Sequence, residues 1–120
     1  MSGESPERTW TLPDSLRELT EGGTEDLLKE LLAVFRADST ERFSLLRRAL
    51  KAGERHEVRT QAHALKGSAA QVGAEAMAKS CHEIETFAPG GTPAKLSALL
   101  ERAESQFEEV CEAIVRVYGD

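Results

Sequence analysis

The sequence predicts an all-α protein, an antiparallel up-and-down four-helix bundle with a short additional N-terminal helix. Glycine and proline gather at a few breaks, and between these breaks apolar residues recur at steps of three and four, the period of an amphipathic helix. No segment alternates polar and apolar residues as a half-buried strand would. Helices with one apolar face each, joined by short connections, bury those faces best around a single axis.

The boundaries of the predicted helices follow from capping and helix-breaking residues. Thr24 is placed to act as an N-cap, Gly53 is a predicted stop, and Thr92 followed by Pro93 is a favoured helix start. We therefore predict helices over about Pro13 to Thr20, from Thr24 to Ala52, from Glu54 to Val72, from Ala74 to Ala88, and from Thr92 onward. The predicted core positions are Leu16, Leu19, Leu28, Leu31, Leu32, Phe35, Ser39, Leu46, Ala49, Leu50, Val58, Ala62, Leu65, Ala69, Val72, Met77, Cys81, Ile84, Ala88, Leu96, Leu99, Ala103, Phe107, Val110, Ile114 and Val117.

Length and charge limit the classes of function. A chain of 120 residues is long enough for one core, and we expect a flexible N-terminus over 1–10 and one bundle domain over 11–120. The net charge is -6 and no basic cluster occurs, which argues against nucleic acid and anionic membranes as partners. No targeting sequence or membrane-spanning run is visible, so we expect a cytoplasmic protein, and a monomer because one chain completes the bundle.

His63 is the residue to which the sequence points for chemistry. A rotation of about 100° per residue places it roughly 140° from the middle of the apolar stripe of its helix, on the solvent side. Its helical face also carries His56, Arg59, Thr60, Lys66, Gly67 and Ala70. An exposed imidazole is largely unprotonated at neutral pH, and histidine forms covalent intermediates.

Gly67 stands one helical turn after His63 and has no evident structural purpose. Glycine inside an exposed helix costs on the order of 1 kcal/mol relative to alanine. Its missing side chain opens space beside the His63 ring, and Ala70 extends this flat patch. The sequence therefore predicts a surface where a second macromolecule can reach the imidazole.

A short motif around His63 resembles the signature of histidine-containing phosphotransfer (HPt) domains of phosphorelays. The run from His63 to Ser68 reads HALKGS, and Gly73, Met77, Cys81 and Ile84-Glu85 follow it. The HxLKGS core is specific, and the helix pattern extends the likeness from about Leu12 to Tyr118. Met77 stands where leucine is common, a mild departure.

This resemblance implies the roles of the site residues and the kind of partner. His63 would be the phosphoacceptor, Lys66 and Ser68 would support its phosphoryl group, and Gly67 would give clearance. His56, Arg59, Thr60 and Ala70 are the residues that we expect to contact a docked receiver. Phosphate would pass between receiver aspartates, with response-regulator receiver domains and a hybrid sensor kinase as partners. We expect no cofactor or metal in this chain, because the receiver would contribute the Mg²⁺.

Other interpretations remain at this point. The absence of a Gly-rich phosphate loop argues against an ATP-dependent kinase, so the chain is expected to carry phosphate without being an enzyme. It could instead be a helical docking module for receivers that performs no covalent chemistry. It could also be the excised phosphoacceptor domain of a larger hybrid or chemotaxis-type kinase. Metal binding by His63, Cys81 and His82 is disfavoured because Cys81 falls on a core seam and His63 on the opposite side of its own helix.

Overall fold

The computed structural model describes residues 10–21 and 25–119, and the secondary structure within these residues consists of helices, without a strand. Five helices follow in chain order: α1 (Asp14–Glu21), α2 (Glu25–Ala52), α3 (Arg55–Gln71), α4 (Glu75–Phe87) and α5 (Pro93–Tyr118). The all-α class and the four long helices behind a short one are as the sequence predicted.

The helix ends agree with the capping residues. Gly53 and Gly73 adopt φ values of +76° and +74°, a conformation that glycine reaches at no steric cost, and they end α2 and the turn after α3. The hydroxyl of Thr92 accepts a hydrogen bond from the backbone N–H of Lys95 at 3.1 Å, so Thr92 is the N-cap of α5. The predicted N-cap Thr24 lies outside the described residues.

Side-chain contacts show that the long helices pack antiparallel. Along each contacting pair, residue numbers rise on one helix while they fall on the other. The contacts are Arg55 with Ala88 and Lys66 with Glu85 between α3 and α4, Ser80 with Gln106 and Glu83 with Arg102 between α4 and α5, and Arg47 with Glu104 and Phe43 with Phe107 between α2 and α5.

The core contains almost every residue that the apolar periodicity predicted. Phe107 joins α5 to α2 in this core, with its ring centroid 5.7 Å from that of Phe35 and 5.3 Å from that of Phe43. Leu31 and Leu50 are half-buried, not fully buried. Val117 was wrongly predicted: its side chain is 66% exposed although it shares the angular position of Leu99 on α5. Val117 lies in the last turn of α5, where fewer neighbouring helices cover it.

The segment before α1 is attached to the bundle. The indole Nε1 of Trp10 donates a hydrogen bond to the carbonyl of Val72 at 2.9 Å, and the ring of Pro13 packs so closely on Gly73 that a Cβ there would lie 2.3 Å from it. Trp10, the last residue of the predicted flexible N-terminus, thus contacts the turn after α3. Residues 1–9 and the side chain of Leu19 lie outside the described part of the chain, whereas Leu16 packs half-buried on the core.

Candidate functional site

The exposed face of α3 carries the residues that the sequence singled out. His56, Arg59, Thr60, His63, Gly67 and Ala70 are exposed, and Lys66 and Ser68 are half-buried. The side chain of His63 is 68% exposed, since the opposite side of α3 is buried through Val58, Ala62, Leu65 and Ala69. The imidazole therefore stands outward, as its angular position predicted.

Glu85 on α4 binds one of the two nitrogens of the His63 ring. The carboxylate atom Oε2 lies 2.8 Å from Nδ1 of His63. An ionised carboxylate can only accept a hydrogen bond, so Nδ1 carries the proton and donates it to Glu85. In the neutral ring the lone pair then resides on Nε2, which has the nucleophilic character.

Lys66 holds the same carboxylate from the other side. Its Nζ lies 2.8 Å from Oε1 of Glu85, whose side chain is 13% exposed. The hydrogen bond from Lys66 is the main cause that lowers the pKa of Glu85, burial opposes it, and the hydrogen bond from His63 adds to the lowering. Glu85 is therefore ionised at neutral pH, which the tautomer of His63 requires.

Glu85 is the residue of this site to which the sequence reasoning gave no role. Its contact with His63 spans 22 positions of the chain and exists because α3 packs antiparallel on α4. His82, one turn earlier on α4, also approaches it, with Nδ1 3.8 Å from Oε1. The available signal was the pair Ile84-Glu85, in which a core isoleucine fixes the angle of α4 and directs the next residue toward α3.

The surface around His63 is open on the side of Gly67. A Cβ built on Gly67 would meet nothing within 4 Å, so no neighbouring atom demands a glycine there. On the N-terminal side, Arg59, Thr60, His63 and Glu85 line a shallow cavity of about 240 Å³. The exposed ring of His63 thus has open space beside it in both directions along α3.

Ser68 does not share the face of His63. Five helical positions correspond to a rotation of about 140°, which turns Ser68 toward the side of α3 that faces α2. On that side Gln61 accepts a hydrogen bond from Arg42 of α2 at 3.1 Å. The structure thus brings Lys66 to the imidazole through Glu85, and leaves Ser68 apart from it.

The cysteines are not part of this site. Cys81 is fully buried on the core face of α4, and burial raises the pKa of its thiol to about 12.

Within the described residues, no group of three or more His, Cys, Asp or Glu side chains is arranged to hold a metal ion. Nor does any described helix combine the length and apolar character needed to cross a membrane.

Comparisons with known proteins identify the family. The family model described as the Hpt domain matches residues 30–116, which is well over half of the chain. The crystal structure of histidine-containing phosphotransfer protein B (HptB) from Pseudomonas aeruginosa PAO1 is similar, with a TM-score of 0.78 and 32% sequence identity over 94% of this chain and 95% of that chain. A search of curated proteins found no match. The chain therefore belongs to the Hpt domain family, whose members carry phosphoryl groups on histidine in phosphorelays.

Proposed function

We propose that Nε2 of His63 accepts a phosphoryl group from an aspartyl phosphate of one receiver domain and passes it to the aspartate of another. The observation that carries this proposal is the hydrogen bond between Nδ1 of His63 and Glu85, which leaves Nε2 as the free nitrogen of an exposed ring. The chain acts in this scheme as a carrier and draws no phosphate from ATP.

The transfer balances without any proton leaving the site. As the bond from Nε2 to phosphorus forms, the bond from phosphorus to the aspartate oxygen breaks, and the receiver carboxylate departs with the electron pair. The ring retains its proton on Nδ1 and gains positive charge. Glu85, ionised and at hydrogen-bond distance from Nδ1, stabilises that charge as it develops. The reverse transfer uses the same contacts.

The surface of α3 suits a receiver as the partner. His63 is exposed, and the absence of side-chain bulk at Gly67 and Ala70 lets a second protein approach the ring. Between positions 55 and 72, three basic residues outnumber one acidic residue on a chain whose net charge is -6. This local positive balance favours a partner with an acidic or phosphorylated active site.

Any Mg²⁺ that the transfer uses belongs, in this proposal, to the receiver. Mg²⁺ prefers several oxygen ligands in an octahedral arrangement. The carboxylate at the His63 site is that of Glu85, and its oxygens are already engaged by Lys66 and His63. The donor set at this site therefore fits a positively charged ring, and it does not fit a divalent cation.

The proposal is tested by incubating the chain with a phosphorylated receiver and mapping the phosphate on peptides. We expect acid-labile, base-stable phosphate on the peptide that contains His63. His63→Gln should abolish uptake, whereas His56→Gln, which changes an exposed histidine at an expected docking position, should at most slow it. Binding of the receiver without phosphate uptake would instead establish a non-covalent docking module, and uptake by His63→Gln would refute the assignment.

A further inference from the structure

Lys66, the cationic residue one turn after His63, already forms an ion pair with Glu85. Nζ of Lys66 lies 2.8 Å from Oε1 of Glu85, a carboxylate that is largely shielded from water. Withdrawing a partner from a shielded charge is costly, because the remaining charge is neither solvated nor paired. The charge of Lys66 therefore neutralises Glu85, and it is not free for a second anion.

A phosphoryl group on Nε2 brings a new anion into this setting. Such a group carries a charge of about -1.5 to -2 near neutral pH. The cavity beside His63 is also lined by the Glu85 carboxylate, which repels the phosphoryl oxygens. A further cation or hydrogen-bond donor is needed on the side of the cavity away from Glu85.

Arg59 meets this need. It stands one turn before His63, lines the same cavity, and is exposed. Within residues 10–21 and 25–119, its guanidinium has no ion-pair or hydrogen-bond partner. Thr60, the remaining lining residue, uses its hydroxyl proton in a hydrogen bond to the carbonyl of His56 at 3.0 Å, so it can only accept. Among the four lining residues, Arg59 is thus the one with uncommitted donors.

We infer that Arg59 binds the phosphoryl group on His63, its guanidinium N–H groups donating to the phosphoryl oxygens, while Lys66 is a positioning residue that holds Glu85. Arginine suits this task because its planar fork matches two oxygens of a phosphoryl group at once. This inference rests on the proposed function of His63. It assigns to Arg59 a contact with the reacting group itself, beyond any contact with the docked receiver.

The experiment loads the full chain with phosphate in the absence of any receiver. Phosphoramidate serves as the donor: its P–N bond breaks as the bond from Nε2 to phosphorus forms, and ammonia leaves. The titration of the phosphorylated imidazole ring, which moves the ³¹P resonance near neutral pH, is then followed by ³¹P NMR, together with the rate of hydrolysis of the bond from Nε2 to phosphorus. Arg59→Gln and Arg59→Lys are compared with wild type, and Arg48→Gln, an exposed arginine of α2 beside a different cavity, is the matched control.

We expect Arg59→Gln to raise the titration midpoint of the phosphorylated ring by roughly half a pH unit, since a cation held at the phosphoryl oxygens disfavours the protonated ring and solvent weakens the effect. Arg59→Lys should restore most of this shift, and Arg48→Gln should match wild type. An unchanged midpoint in Arg59→Gln, with slowed transfer from a receiver, would overturn the inference, making Arg59 a docking residue only while leaving His63 as the acceptor. Failure of the wild type to take phosphate from either donor would overturn both.

Discussion

Nδ1 of His63 and Oε2 of Glu85 lie 2.8 Å apart across the contact between α3 and α4. This contact decides which ring nitrogen is available, because a carboxylate that only accepts keeps the proton on Nδ1. Glu85 is in turn held by Lys66, so three residues on two helices determine the state of one imidazole. The chemistry of the site depends on helix packing as much as on the motif of α3.

Replacing Glu85 by glutamine should slow phosphoryl uptake. The amide has similar size but no charge, and its NH₂ group can donate to Nδ1 and so favour the wrong tautomer. We expect a loss of about tenfold or more in uptake rate from a phosphorylated receiver, by analogy with the loss seen when the carboxylate that orients a metal-bound histidine is removed. Glu83→Gln, on the same helix and facing Arg102 of α5, is the control. Equal rates for the two variants would show that the Glu85 charge is irrelevant.

Glu85 should also make the free energy of unfolding depend on pH in the acidic range. Its pKa in the folded chain is lowered from the ordinary value of 4.5. The unfolded chain then binds the proton first as pH falls, so the stabilisation is present above about pH 4.5 and is lost as pH falls through the lower folded value. Denaturant titrations between pH 7 and pH 3 should show a shallower decline for Glu85→Gln than for wild type. Parallel declines would contradict the lowered pKa.

His63→Gln should leave the stability of the fold nearly unchanged. The side chain is 68% exposed and Glu85 keeps its ion pair with Lys66, so we expect the free energy of unfolding to stay within about 0.5 kcal/mol of wild type. Leu65→Ala, two positions along the same helix and fully buried, should cost about 2 to 5 kcal/mol. Urea titrations of both variants give the comparison. A large loss for His63→Gln would mean that the ring supports the fold.

Much of this architecture could be predicted from periodicity, and the exceptions have physical reasons. Steps of three and four place His63 outside and Leu65 inside whatever the neighbouring helices are. Periodicity describes one helix at a time, so it could not reveal the contact of His63 with Glu85, which arises from the packing of α4 on α3. It could not show the exposure of Val117 either, because exposure at a helix end depends on how far the neighbouring helices extend.

The motif predicted the family correctly and was less informative about individual roles. The resemblance implies that Lys66 and Ser68 both support the phosphoryl group on His63, and these two roles remain predictions. The structure pairs Lys66 with Glu85 and turns Ser68 toward α2. A linear motif records which residues occur together, and residues five positions apart on a helix share a motif without sharing a face.

Substitutions at Gly67 should affect the stability of the fold and the rate of phosphoryl transfer differently. Because a Cβ at Gly67 meets nothing within 4 Å, Gly67→Ala should stabilise the fold by up to about 1 kcal/mol, the propensity difference between the two residues in a helix. Gly67→Gln should also fold, and its longer side chain should slow transfer from a phosphorylated receiver well below the rate of Gly67→Ala. Rapid-quench transfer assays and urea titrations measure the two effects. Equal transfer rates for both variants would show that clearance beside His63 does not limit the reaction.

Substitution of Phe107 tests which face of α5 is buried against α2. Its ring is 8% exposed and contacts the rings of Phe35 and Phe43, which both project from α2. Truncation to alanine removes these contacts and leaves a cavity between two helices, so we expect a loss of about 3 to 5 kcal/mol in the free energy of unfolding. Val117→Ala, ten positions later and exposed, should stay within about 0.5 kcal/mol. If a denaturant titration gave similar losses for the two variants, the α5 seam would lie on a different face, and the α2 contact that completes the bundle would have to be reassigned.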